Sequence, residues 1–327
     1  MARDILLAVG GYTQPGSPDL ALINWNGRQG EICHALHTGT NPSFLIQKGK
    51  TLYAGHELVD CVKITSYRIK ESALEQKGEI TLLGAGLCHL SDADTCLVGS
   101  CWQSGDFFAV DYTLQKELWR MCLPGAKKDV AHAHCSVLMG QELLCCDMGS
   151  DCIACYDLSA EVPQLLWVKV FAPNTGPRQI IPVDNAKFVL ICENSNSVML
   201  CKKSKAGCFC LYTLSLAQLG SGWPGGACMV ESETIAVSVR GVPKIAIIRV
   251  EADSLRLHRI QPLCGDWVRM ITFLSDKTLL AVQQKMNIVE AVPPKIGAKF
   301  DTVALEFAAP AFVLQVTEKE DDNNEHK

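Results

Sequence analysis

The chain has 327 residues, 48% of them apolar and 20% charged, which supplies a large core and excludes a wholly disordered chain. Its 30 basic and 35 acidic residues leave a net charge of −5, which argues against a general nucleic-acid partner. No run approaches the ~18 apolar residues of a membrane span, and the short apolar run near the N-terminus cannot form a signal-peptide core, so a cytoplasmic protein without a membrane partner is expected.

At ~100–200 residues per domain the length suggests two domains, but an internal repeat overrides that rule. In chain order, short apolar runs begin with ILLAV at 5, TLYAG at 51, TCLVG at 95, ELLCC at 142, KFVLI at 187, TIAVS at 234 and TLLAV at 278. Their spacings are 46, 44, 47, 45, 47 and 44. Each is followed, past a polar or glycine turn, by a second run rich in β-branched and aromatic residues. These are LALINW (20–25), VKITSYRI (62–69), FFAVDYT (107–113), CIACYDL (152–158), VMLCKK (198–203), IAIIRV (245–250) and NIVEAV (287–292). Each pair reads as a hairpin. Weaker strands such as SVLM (136–139) and LLWVKVF (165–171) flank them and bring the repeat to about four strands.

Four strands in ~45 residues, repeated seven times, predict an all-β fold: a seven-bladed β-propeller of four-stranded antiparallel blades. The only helix candidate is LYTLSLAQL (211–219). The chain begins inside a repeat, without the strand that precedes the apolar run elsewhere. FVLQV (312–316) is the spare strand expected to pair with residues 5–9 and close the ring. Residues 1–316 are therefore expected to form one domain, with 317–327 a charged disordered tail.

Seventeen cysteines are many for such a chain, and most lie in apolar runs, as Cys145, Cys146, Cys192 and Cys210 do. Reduced thiols acting as small core residues are expected. Cys152 and Cys155 have half the spacing of a zinc knuckle, but in a strand residues three apart point to opposite faces, so no metal site is expected.

Polar residues recur at two registers. The sixth residue after each run start is Gly11, Glu57, Cys101, Met148, Glu193, Arg240 and Gln284, with His56, Asp147 and Gln283 one position earlier. About nine residues before the run start lie Arg178 and Arg269. His132 and His134 flank that register by one residue, and His89 stands three residues nearer its run. In a closed ring such positions converge on the central channel. Arginines suit phosphate or carboxylate oxygens, and a histidine near a carboxylate can act as a general base. Asp147 and Asp151 bracket the turn DMGSD and read as turn formers. A nucleophile elbow, a phosphate loop and a dinucleotide fingerprint are all missing, and HELVD (56–60) carries Asp60 where a zincin has its second histidine. No cofactor is expected.

At these residues the sequence resembles the seven-bladed propeller lactonases, which include bacterial-type 6-phosphogluconolactonases and fungal carboxymuconate cyclases. NPSFLIQKGKTLYAGHE (41–57) is similar to the family's first-blade motif. AHAHCSVLMGQELLCCDMGSDCIACYDL (131–158) resembles its His-x-His and Asp-Leu-Gly-x-Asp stretch. GPRQIIPVDNAKFVLICENSNSV (176–198) resembles its Gly-Pro-Arg-His block, SVRG (238–241) its Ser-Asn-Arg-Gly, and WVRMITF (267–273) its Pro-Arg block. The chain departs from these motifs at Gln179, Val268, Ala131 and Cys192.

The resemblance implies hydrolysis of 6-phosphoglucono-δ-lactone without a metal. His132 or His134 would activate water, Glu193 would orient or polarise that histidine, and Arg178 would stabilise the oxyanion. Arg240 and Arg269 would bind the phosphate or hydroxyls, with Glu57, His89 and Gln284 as further substrate contacts. The implied partner is a small anionic sugar lactone or carboxylate. A carboxymuconate-type cyclase and a non-catalytic protein-binding propeller are the alternatives.

Overall fold

The computed structural model describes residues 5–126, 130–292 and 303–317. It holds seven four-stranded antiparallel sheets. Blade 1 contains β1 (Ile5–Gly11), β2 (Leu20–Trp25) and β3 (Gly30–Leu36); blade 2 contains β4 (Pro42–Lys48), β5 (Thr51–Glu57), β6 (Val62–Lys70) and β7 (Ala73–Leu82). Blade 3 runs through β8 (Leu87–Asp92), β9 (Leu97–Cys101), β10 (Phe107–Val110) and β11 (Glu117–Met121). Blade 4 comprises β12 (Ala133–Met139), β13 (Glu142–Asp147), β14 (Cys152–Asp157) and β15 (Gln164–Val170). In blade 5 these are β16 (Pro177–Pro182), β17 (Lys187–Cys192), β18 (Ser197–Ser204) and β19 (Gly207–Ser215). Blade 6 has β20 (Trp223–Glu231), β21 (Thr234–Arg240), β22 (Lys244–Val250) and β23 (Leu255–Pro262). Blade 7 has β24 (Val268–Phe273), β25 (Leu279–Gln283), β26 (Ile288–Val292) and β27 (Val303–Glu306), and the final strand is β28 (Pro310–Gln315).

The order β28-β1-β2-β3 makes β28 the innermost strand of blade 1. It pairs antiparallel with β1, Leu7 opposite Gln315 and Val9 opposite Val313. This is the expected ring closure. Side chains reinforce it on the blade 7 side: Thr272 Oγ1 donates to Val313 O at 2.6 Å, and the buried Trp25 Nε1 donates to Asp276 at 2.8 Å.

The two middle strands of each blade are buried on both faces, which explains their nearly unbroken apolar runs. β9 and β10 are buried throughout, whereas β11 is partly exposed. Alternate residues feed different cores. Leu7 and Val9 pack against blade 7, and Ala8 packs against blade 2. Seven apolar clusters result among the described residues, one in each gap between neighbouring blades. Burial of this kind contributes roughly 25 cal/mol per Å2, so the stability of each blade depends on its neighbours.

Three sequence expectations need comment. The helix candidate 211–219 is mostly strand: β19 runs to Ser215, paired with β18, and only Ala217–Leu219 turn into a short 3₁₀ helix. Leu211 and Leu214 face the core between blades 5 and 6, and cross-strand pairing overrides the weak helical spacing. Cysteines 145, 146 and 192 are buried as expected, but Cys210 is exposed on β19. Cys152 and Cys155 belong to different cores, one facing blade 3 and the other blade 5. The expected tail lies outside the described residues from 318 onward. Among the described residues no helix is long and apolar enough to cross a membrane.

Candidate active site

Every innermost strand breaks register with its neighbour near the hub, and β20 does so again between Met229 and Glu231. The shift falls between Pro42 and Phe44, Leu87 and His89, Ala133 and Cys135, Pro177 and Gln179, Pro224 and Ala227, and Val268 and Met270. In blade 1 it skips Ala311. A bulge leaves one residue out of the ladder and re-aims its side chain. The residues so released are Ser43, Cys88, His134, Arg178, the pair Gly225–Gly226, Arg269 and Ala311. All of them line one cavity at the hub, together with Phe44, His89, Cys135, Gln179, Met270 and Phe312. The cavity measures about 80 Å3, room for a few waters at ~30 Å3 each.

Two carboxylates organise the arginines at this end of the channel. Glu193 lies just past β17. It accepts a hydrogen bond from Arg178 through Oε2 and pairs through Oε1 with Arg240 Nη2 at 2.5 Å. The side chains of Arg178, Glu193 and Arg240 are 12–13% exposed. Arg178 Nε also donates to Gly225 O at 3.0 Å. Glu57, at the end of β5, accepts from Tyr12 Oη at 2.6 Å, Ser43 Oγ at 3.0 Å and Arg269 Nη2 at 2.7 Å. Arg269 stands over the Tyr12 ring, 4.9 Å from its centre.

These contacts set the charge states. Burial disfavours ionised Glu193, but Arg178 and Arg240 outweigh it and hold the carboxyl below its usual range. Burial and the Arg178 charge lower Arg240 to about 10, still a cation at neutral pH. Burial, with Glu57 adding to it, pushes the Tyr12 phenol far up, so it remains a donor. His134 is driven well below the usual histidine value, first by burial and then by Arg178, His89 and Arg240. Its imidazole is neutral. Burial raises the Cys88 thiol to about 12, which removes it as a nucleophile.

The backbone leading to Arg178 is held from the preceding blade. Asp151 accepts the N–H groups of Asn174 and Gly176, both at 2.7 Å. Gly176 has φ 64° and packs against Asn194, where a side chain would be strained. Gln179 ties blades 5 and 6 by donating to Ala227 O and accepting from Ala227 N, each at 3.0 Å.

Of the residues singled out from sequence, His89, His134, Arg178 and Arg269 line the hub, Glu57 and Glu193 contact its arginines directly, and Arg240 reaches Arg178 through Glu193. His89 Nε2 lies 3.5 Å from Cys135 Sγ, and its buried Nδ1 finds no partner among the described residues. His132 is not in the hub. Its ring stacks on Trp102 at 4.1 Å, and its Nδ1 is 2.8 Å from Trp102 O. Gln284 lies in the turn after β25, also outside the hub lining, with its N–H on Trp267 O. Glu193, expected to polarise a histidine, is engaged by the two arginines instead. His56 is buried between Thr40 and Thr65, and Asp147 caps its turn at His132 N and Ser150, both structural roles.

The sequence reading missed Tyr12, Trp102, Trp223 and Trp267, which surround this mouth. A signal for them existed. Tyr12, Trp102 and Lys285 stand one residue beyond the Glu193 register, and Trp223 and Trp267 share the register of His132, two residues before the bulge. Tracking only polar residues passed over the aromatic ones.

A family model described as "Lactonase, 7-bladed beta-propeller" matches residues 6–293. A structure named as a putative 6-phosphogluconolactonase from Bacteroides fragilis superposes with a TM-score of 0.85 at 18% identity, covering 97% of this chain and 99% of that one. A periplasmic gluconolactonase of Pseudomonas aeruginosa gives 0.83 at 21% identity, covering 96% and 99%. At such identities these two likenesses are of fold alone. No curated protein matches the sequence.

Proposed function

Since the chain belongs to the seven-bladed β-propeller lactonase family, we propose that it hydrolyses 6-phosphoglucono-δ-lactone in the cytoplasm, using its own side chains and no metal. The observation that carries this reading is that His134 and Arg178 line one hub cavity, with Glu193 locking Arg178 to Arg240. The hub cavity suits water rather than sugar, so the lactone sits at the mouth with its carbonyl toward the channel. His134 takes a proton from water as the water attacks the carbonyl carbon. Arg178 faces the oxyanion that forms, and such preorganised charge is usually the largest catalytic contribution. The C–O bond to the ring oxygen then breaks, and His134 returns the proton to that oxygen. Arg269, held by Glu57 and Tyr12, donates to substrate hydroxyls, and Arg240 faces the anionic end. Thiols packed as core residues, such as Cys145, Cys146 and Cys192, suit a reducing compartment.

The test is hydrolysis of freshly prepared phosphogluconolactone followed in a pH-stat, with spontaneous hydrolysis subtracted. Acid release well above that background supports the reading. Release equal to background, from a folded protein, refutes it.

A further inference from the structure

Outward from the hub across blades 5 to 7, the cations outnumber the acids. Arg178 and Arg240 share the single carboxylate of Glu193. Arg240 then stands 5.7 Å from the centre of the Trp267 ring, and Lys285 Nζ lies 3.4 Å from the same centre. Lys285 is exposed in the turn after β25 and forms no ion pair among the described residues. Its ammonium rests on an aromatic face and keeps its N–H donors for another acceptor. Arg240 gives one nitrogen to Glu193, and its buried Nε has no acceptor among the described residues.

The aromatic neighbours point the same way. Trp223 is 50% exposed and meets Trp267 edge-on at 6.5 Å. An indole left half in water beside two cations has the makeup of a ligand wall, apolar for a carbon skeleton and cationic at its end. The acids of the neighbouring blades are already engaged, Glu193 by two arginines and Glu57 by Arg269, Tyr12 and Ser43. An incoming anion therefore meets two cations on this side whose carboxylate partner is shared or absent among the described residues.

We infer that Lys285 and Arg240, arrayed on Trp267 and walled by Trp223, form a rim subsite for the phosphoryl group of the substrate, and that Lys285 sets preference for a phosphorylated over an unphosphorylated sugar acid. The identity of the ligand rests on the lactonase reading; the anion subsite does not. Trp267 packs the sugar carbons, Lys285 and Arg240 take the phosphate oxygens, and the opposite end of the ligand reaches Arg178.

The experiment compares 6-phosphogluconate with gluconate, which differ by the phosphoryl group alone, titrated calorimetrically into the native chain and into Lys285→Gln and Lys285→Arg. KM is measured in parallel on the two corresponding lactones. Loss of a charged hydrogen bond predicts that Lys285→Gln weakens 6-phosphogluconate binding about tenfold or more, with a far smaller effect on gluconate. Lys285→Arg restores most of the loss. No 6-phosphogluconate binding to the native chain, equal affinity in Lys285→Gln, or equal losses for both ligands overturns the subsite. The two readings fail separately. Lys285-dependent binding without hydrolysis of either lactone removes the lactonase reading and keeps the subsite, whereas hydrolysis with Lys285-independent binding does the reverse.

Discussion

Asp151 in blade 4 accepts the backbone N–H of Gly176 at 2.7 Å, two residues ahead of Arg178. The position of the arginine is thus fixed by a carboxylate on the neighbouring sheet. Asp151→Ala leaves the part-buried Gly176 N–H without that acceptor, while the exposed Asn174 N–H can turn to water, and is expected to cost about 1–3 kcal/mol of stability. Because the strand bearing Arg178 loses its anchor, kcat should fall as well. Thermal melts together with kinetics check this. A lowered Tm with unchanged kcat would confine Asp151 to a structural role.

Arg178→Ala is expected to reduce kcat/KM for the lactone by roughly 10²–10³-fold, the usual range for losing an oxyanion donor. The circular dichroism spectrum should be unchanged, since Arg178 stands in a bulge and its side chain belongs to none of the apolar cores. Unaltered turnover in a folded variant would sink the oxyanion role.

The two histidines of the His-x-His are expected to separate. His134→Asn removes the base from the hub and should abolish most turnover. His132→Asn breaks a stack with Trp102 at the rim and should alter kcat little. Paired kinetics decide, and the reverse order of effects would transfer the base to His132.

The pH profile carries a sign. His134 acts as base only when unprotonated, so rate falls as pH drops through its pKa. Burial and the Arg178 charge place that pKa well below the ordinary 6.5, so the acid limb of kcat/KM should lie below it too. Arg240→Gln removes one of the contributing cations and should move the limb toward neutrality. A limb at or above the ordinary histidine value would contradict the assignment.

Stability should show a separate titration. Burial and Lys63 lower His56 from 6.5 to about 4 in the fold. Its neutral form stabilises the protein fully above the unfolded pKa, and the contribution is lost as pH falls from 6.5 through about 4, up to ~3 kcal/mol in all. Denaturation of native and His56→Asn chains across that interval measures it. Parallel stability curves would show that His56 is not the group responsible.

The blades were legible because their middle strands are buried on both faces and therefore spell apolar runs at even intervals. Ring closure was legible from the spare strand at 312–316. The bulges were not, since a bulge is a property of pairing between strands and leaves no compositional trace. Without them, the register near position 178 could be only approximate, and His132 could not be told from His134. Gln284 illustrates the same limit: it keeps the register of Glu193, but a 3₁₀ turn at Gln284–Met286 carries it away from the hub. Glu193 stands at the hub arginines rather than at a histidine, because which of two nearby groups a carboxylate bonds depends on distances no spacing encodes.

Placing the hub side chains in bulges separates two demands on the same strand. The flanking residues keep the ladder and the apolar packing between blades, while the bulged residues add polar ties, Arg178 to Gly225 O and Glu193, and Arg269 to Glu57. At Ser43 and His134, replacement can therefore change chemistry at small cost to folding, whereas loss of either arginine strands its carboxylate and Gly225 is hemmed in by Val268 O and Ser238. A scaffold so divided tolerates divergence at part of its reactive centre, and saturating those two codons is a direct route to new substrate preferences.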